Sequence, residues 1–198
     1  MPLLAYSIQH GRAAGLPVYV STDDDEIAEV ADKYGAVPVM RPAEISGDYA
    51  QSEDALLHAL AEIGGEEPPE IVVFLQATSP IRKPEHIRWA IDMIEQEGYD
   101  SVLSGVRLHQ FVWHQTPEAA WSVNYDPVNG MRPMRQLVKD FIENGSIYAF
   151  KTEVLERTGK RLGGRIGVLE MPYWCRFEID TDADLKLVEW ILRNCPLG

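Results

Sequence analysis

The sequence predicts an α/β fold, a mostly parallel sheet with helices on both faces, and two observations carry that prediction. Segments with an apolar stripe at helical spacing alternate with short β-rich runs along most of the 198 residues. The run Ile71-Val72-Val73-Phe74-Leu75 contains no polar residue. Such a run suits a parallel strand covered on both sides, central in its sheet. With 45% hydrophobic and 25% charged residues, the composition is that of an ordinary globular chain, and residues 1–198 read as one domain.

The elements follow in order. Leu3, Leu4, Ile8 and Ala13 mark one face of a first helix that stops near Gly15, ahead of the strand Val18 to Val20. Thr22 or Asp23 can cap a second helix reaching Tyr34, with Gly35 as the stop and Val37 to Met40 as the next strand. Ala55, Leu56, Ala59, Leu60 and Ile63 share a face of a third helix, Ser52 to Ile63. A helix from Pro84 to Glu97 and a strand from Ser101 to Val106 continue the alternation. A short strand near Phe177 to Ile179 precedes a last helix, Ala183 to Arg193. Residues 107–144 break the rhythm, mixing Trp113, Trp121 and Tyr125 with prolines, and read as an inserted segment. Its aromatics suit either a partner surface or local packing.

Charge narrows the functions. A net charge of −13 repels nucleic acid and anionic lipid, so an anionic substrate needs a local basic cluster. No stretch approaches the roughly 18 apolar residues of a membrane span, and the first residues lack the pattern of a secretory signal, so a cytoplasmic location is expected. Cys175 and Cys195 have no metal-ligand spacing and read as reduced thiols.

Three segments carry chemistry. Val20-Ser21-Thr22-Asp23-Asp24 sets hydroxyls and carboxylates just after a strand, where open α/β sheets gather ligands; Asp23 is a candidate nucleotide contact or simply a helix cap. In Leu75-Gln76-Ala77-Thr78-Ser79-Pro80-Ile81-Arg82 a buried strand opens into polar groups. Gln76 can read a base edge and Arg82 can meet a phosphate or carboxylate, while the alternative is a polar turn that ends the strand. Glu178 and Asp180 point the same way in an extended stretch and offer paired oxygens to Mg²⁺; Thr181 or Asp182 can cap the helix that follows.

Taken in order, several segments resemble the acylneuraminate (sialic acid) cytidylyltransferases. They are Pro2-Leu3-Leu4-Ala5-Tyr6, Val20 to Ile27, Arg41-Pro42-Ala43-Glu44, Leu75 to Arg82, Asn144-Gly145-Ser146-Ile147-Tyr148 and Glu178-Ile179-Asp180-Thr181. The resemblance implies a Rossmann-like nucleotidyltransferase domain, dimeric through an inserted segment. It implies transfer of CMP from CTP to an acidic nine-carbon sugar with Mg²⁺ held by Glu178 and Asp180. Gln76, Ser79, Arg82 and Asp23 then meet the nucleotide, and Arg135, Gln136 and Asn144 the sugar, with Arg135 beside the reacting groups. Two positions depart from the family pattern, Ala77 for Pro and Glu178 for Asp. The resemblance also implies a strand and a basic, Gly-rich phosphate loop ahead of Pro2, and a form without them is expected to bind CTP weakly. Two further readings stay open: a catalytically silent, partner-binding member of the family, and another sugar nucleotidyltransferase.

Overall fold

A computed structural model describes residues 1–47, 49–65, 68–134, 137 and 139–195. Through them run α1 (Leu3–Ala13), β1 (Tyr19–Thr22), α2 (Asp25–Lys33), β2 (Val37–Met40), α3 (Ser52–Gly64), β3 (Ile71–Phe74) and α4 (Pro84–Glu97). β4 (Ser101–Arg107), β5 (Trp113–Gln115), β6 (Ala120–Ser122), β7 (Phe141–Lys151), α5 (Thr152–Thr158), β8 (Ile166–Glu170) and α6 (Asp182–Asn194) follow. Tyr173–Arg176 forms a 3₁₀ turn between β8 and α6.

Local chemistry sets the helix starts. Asp24, not Thr22 or Asp23, caps α2, its Oδ1 accepting from Ile27 N at 2.9 Å. Thr22 is the last residue of β1, and its Oγ1 accepts from Asp24 N at 3.1 Å, so the helix begins two residues later than a Thr22 cap implies and one later than an Asp23 cap. α6 opens on a reciprocal cap. Thr181 Oγ1 accepts from Asp184 N at 3.3 Å and Asp184 Oδ2 accepts from Thr181 N at 2.9 Å. Pro84 opens α4 at a position where the missing N–H has no intrahelical partner to lose.

The main sheet has the order β3-β7-β4-β8. β4 and β8 pair in parallel, while β7 lies antiparallel between β3 and β4, so three of the four strands run one way. β1 and β2 form a separate parallel pair. α1 reaches both parts: a Cβ on Gly11 would stand 2.8 Å from Val18 and 4.0 Å from Leu75. The unbroken apolar run at Ile71 to Leu75 now has its cause. Ile71, Val73 and Leu75 pack on the main core with Ile87, Val102, Ile147 and Ala149, whereas Val72 and Phe74 pack on the other face with Tyr148, Phe150 and Leu155. Both faces are covered as expected, but β3 is at the margin of its sheet with an antiparallel neighbour, not at its centre.

Two further differences concern the second half. Phe177 to Ile179 forms no strand; the segment is tied instead by Ile179 N donating to Thr78 O at 2.9 Å. β7 begins at Phe141, so the last residues of the 107–144 segment belong to the sheet. The rest of that segment holds the β5–β6 hairpin, with Trp113 and Trp121 half exposed and Tyr125 packed on Phe111 at 4.8 Å between ring centres. Among the described residues no helix is long and apolar enough to cross a membrane.

Candidate active site

The pairing of Phe74 with Tyr148 carries residues 143–146 of β7 past the C-terminal end of β3, beside the loop 75–82. Ligands gather at such strand ends in open α/β sheets. Gly145 sits there with φ +63°, a left-handed conformation that favours glycine. A Cβ on it would lie 2.4 Å from Gln76 Oε1, 3.0 Å from Glu178 Oε2 and 3.2 Å from Ser79 Oγ. Three side-chain oxygens from distant parts of the sequence thus converge on one small backbone face. Ser79 Oγ donates to Asn144 O at 3.1 Å, and the Ile179–Thr78 bond draws Glu178 toward the same loop.

Electrostatics mark this cluster. Partial burial of the Glu178 carboxyl raises its pKa above the ordinary carboxylate range; the charges of Asp180, Asp184 and Glu143 add to the rise, and a hydrogen bond with Ser79 opposes it. Glu143 is itself held by the Tyr148 hydroxyl, whose pKa is raised to about 12, first by burial and then by its bond to Glu143. Asp184 is committed to the α6 cap, where its bonds to Thr181 lower its pKa.

These donors fit Mg²⁺. They are oxygens only, and a carboxyl destabilised by neighbouring carboxylates gains from a divalent cation. Among the described residues no three His, Cys, Asp or Glu side chains stand together as a metal cage. Magnesium at nucleotide sites is held by one or two carboxylates plus substrate phosphates, so Glu178 and Asp180 are the residues here that could hold it. A pH dependence follows. Because the folded-state pKa of Glu178 is raised, protons compete with the cation, and the native form holds more protons than the unfolded chain through and just above the ordinary carboxylate range. Stability in metal-free buffer should therefore fall as pH rises through that window, and Mg²⁺ should raise the melting temperature more above the window than below it. Melting curves at paired pH values with and without Mg²⁺ check this; an identical Mg²⁺ effect at both would remove Glu178 from the metal site.

The other predicted residues are placed as follows. Asn144 is buried and hydrogen-bonded within the protein: Oδ1 accepts from Ser104 Oγ at 2.6 Å, and Nδ2 donates to Cys175 O at 2.9 Å, so its amide ties β7 to β4 and to the 3₁₀ turn. Arg82 is likewise buried, its Nε and Nη2 spent on loop carbonyls and Ser146, while its Nη1 is buried without a hydrogen-bond partner among the described residues. Asp23 pairs with Arg41 at 2.8 Å, which lowers its pKa, and is not among the groups that converge on Gly145. Arg135 and Gln136 lie outside the described residues.

Sequence reasoning singled out neither Gly145 nor Glu143 individually, although Gly145 lies within the Asn144 to Tyr148 motif and Glu143 precedes it. It also passed over a polar cavity of about 120 Å³ formed by Arg41, Ile45, Ser46, Gly47, Ala50, Gln51 and Ser52 at the start of α3. Arg41 Nε is buried there without a hydrogen-bond partner. The Arg41-Pro42 motif is the signal that pointed to it.

An α/β sheet with an oxygen-rich cradle at the C-terminal end of β3 and a polar cavity at the start of α3 defines the class as an open α/β protein with its candidate site at strand ends. The model of the cytidylyltransferase family matches residues 1–189, and the chain belongs to that family. It is 36% identical over 195 residues to N-acylneuraminate cytidylyltransferase A of Danio rerio, an alignment covering 96% of this chain and 44% of that protein. The chain thus spans less than half the length of that curated relative. Among solved structures, it is similar to a 4-diphosphocytidyl-2C-methyl-D-erythritol synthase from Anaerococcus prevotii, with TM-score 0.69, 12% identity and coverage of 97% and 89% of the two chains. A CMP:2-keto-3-deoxy-manno-octonic acid synthetase solved with CTP gives TM-score 0.65 at 17% identity, covering 97% and 88%. These likenesses establish the fold.

Proposed function

We propose that this chain carries the cytidylyltransferase site that activates an acidic nine-carbon sugar with CTP, in the cytoplasm, yielding the CMP-sugar and pyrophosphate. The convergence of Gln76, Ser79 and Glu178 on Gly145, in a member of this family, is the observation that supports it. Gln76 offers a donor and an acceptor to the nucleotide, and Ser79 holds the loop on β7. Glu178 and Asp180 hold Mg²⁺, which when bound supplies neutralising charge beside the phosphates. Arg41, whose Nη2 pairs with Asp23 while its Nε keeps no partner among the described residues in the polar cavity, supplies the basic group that a chain of charge −13 needs near an anionic substrate. In the reaction, a sugar hydroxyl oxygen forms a bond to the α-phosphorus of CTP as the bond to pyrophosphate breaks. The test is product analysis with CTP, Mg²⁺ and a panel of acidic sugars. Formation of a CMP-sugar supports the reading, and the preferred sugar identifies the substrate; CTP binding without product with any sugar would favour a silent, partner-binding role.

We further propose a homodimer formed through the β5–β6 hairpin. Trp113 and Trp121, on the two paired strands of the hairpin, are each 50% exposed. Sedimentation at micromolar concentration should give twice the chain mass, and Trp113→Ser with Trp121→Ser should return it to the monomer. A wild-type monomer would assign these rings to local packing alone.

A further inference from the structure

We infer that Arg82 is a positioning residue, a buried clamp that fixes the 76–79 loop against the 144–146 turn and so holds Gln76, Ser79 and Glu178 in one arrangement. What the positioned groups bind rests on the proposed function; the clamp itself does not.

Arg82 is the largest fully buried side chain among the described residues, with 1% of its surface exposed. A buried cation is costly unless it is paired or well hydrogen-bonded, and no carboxylate is among its hydrogen-bond partners. The partners are loop oxygens. Nη2 donates to Gln76 O at 2.6 Å and also to Ser79 O; Nε donates to Ser79 O at 3.2 Å and to Ser146 Oγ at 3.0 Å. Burial lowers the guanidinium pKa to about 9, which leaves it cationic near neutral pH.

These oxygens are the ones the site depends on. The loop beyond β3 lies in neither helix nor strand, so its carbonyls at 76 and 79 receive no ladder bond; besides Arg82 each has one long bond, from Ser79 N and from Ser146 Oγ, both at 3.4 Å. The planar fork of one arginine reaches both and, through Ser146, grips the residue next to Gly145. The loop is then tied on its other side by Ser79 Oγ to Asn144 O and by Ile179 N to Thr78 O. Lysine carries its three donors on one nitrogen and cannot reproduce the spacing of Nε and Nη2 across these acceptors. The motif residue that sequence reading offered to a phosphate or carboxylate therefore acts from beneath the site.

The experiment compares wild-type protein with Arg82→Lys and Ser146→Ala by hydrogen exchange of the full chain, together with CTP affinity and turnover. In Arg82→Lys, amides of residues 76–82 and 144–146 should exchange about tenfold faster than in wild type, with α6 and the centre of β4 changed about twofold or less. Turnover should fall about 100-fold, as misplacement of reacting groups by about 1 Å produces. Ser146→Ala removes one strand of the clamp and should give the same local pattern at smaller amplitude, which keeps the test valid if Arg82→Lys does not fold. Arg82→Ala should regain turnover in ethylguanidinium, a recovery that a general packing role does not predict. Unchanged exchange in the two segments, or faster exchange everywhere alike, would overturn the clamp. Wild-type protein that makes no CMP-sugar, with the local exchange pattern intact in the variants, would overturn the proposed function and leave the clamp standing.

Discussion

Gly145→Ala should lower turnover about 100-fold and melt at a lower temperature than wild type. Two independent effects act at this position. At φ +63° an alanine carries backbone strain of about 1–2 kcal/mol, because its Cβ crowds the carbonyl in the left-handed region. The same Cβ would also arrive 2.4 Å from Gln76 Oε1 and 3.0 Å from Glu178 Oε2, far inside contact distance. Both atoms are the ends of flexible side chains, so the protein can accommodate the methyl group by turning them away. That relief keeps the fold and abandons the site, since the two groups lose the spacing on which their shared role depends; a shift of about 1 Å costs about 100-fold in rate. Kinetic constants for CTP and sugar, measured with melting curves, separate the effects. A variant less stable but fully active would mean that the cradle is not part of the site.

The periodic elements were legible because their patterns are local. α4 spans Pro84–Glu97 as its proline start and apolar stripe foretell, and α1, α3 and β2 fall within a residue or two of the expected limits. β7 escaped because its centre, Asn144-Gly145-Ser146, breaks β-pattern for reasons of packing and site geometry that appear only when β3, β4 and the 75–82 loop are assembled around it. For the same reason sequence could pair Glu178 with Asp180, two residues apart, but could not foresee that Glu178 meets Gln76 across about a hundred intervening residues. Arg82 and Asn144 illustrate the converse. Residue type suggested ligand contact for Arg82 and the family resemblance implied it for Asn144; both are buried and bonded to the backbone and side chains around the cradle, a placement that residue type alone does not carry.

Asp180→Asn should reduce Mg²⁺-dependent turnover about 100-fold or more while leaving the fold in place. Asp180 lies between Glu178 and the cap residue Thr181, and its backbone N–H, not its carboxylate, joins the cap by donating to Asp184 Oδ2 at 3.3 Å. The side chain is therefore available as an oxygen ligand, and amidation removes its charge with little change of shape. Loss of one of two charged oxygens weakens the cation's hold, and the neutralising charge beside the phosphates is worth several kcal/mol, each 1.36 kcal/mol being about tenfold in rate. A second consequence needs no turnover. The Asp180 charge is one of the causes that raise the Glu178 pKa, so in Asp180→Asn the Glu178 carboxyl should titrate at lower pH, measurable by NMR. Thr181→Ala separates ligand from cap: it should cost about 1 kcal/mol of stability through the lost helix cap and keep the Mg²⁺ response. If Asp180→Asn retains the wild-type rate and Mg²⁺ requirement while Thr181→Ala loses them, the segment acts as a helix start and the carboxylate pair is not the metal site.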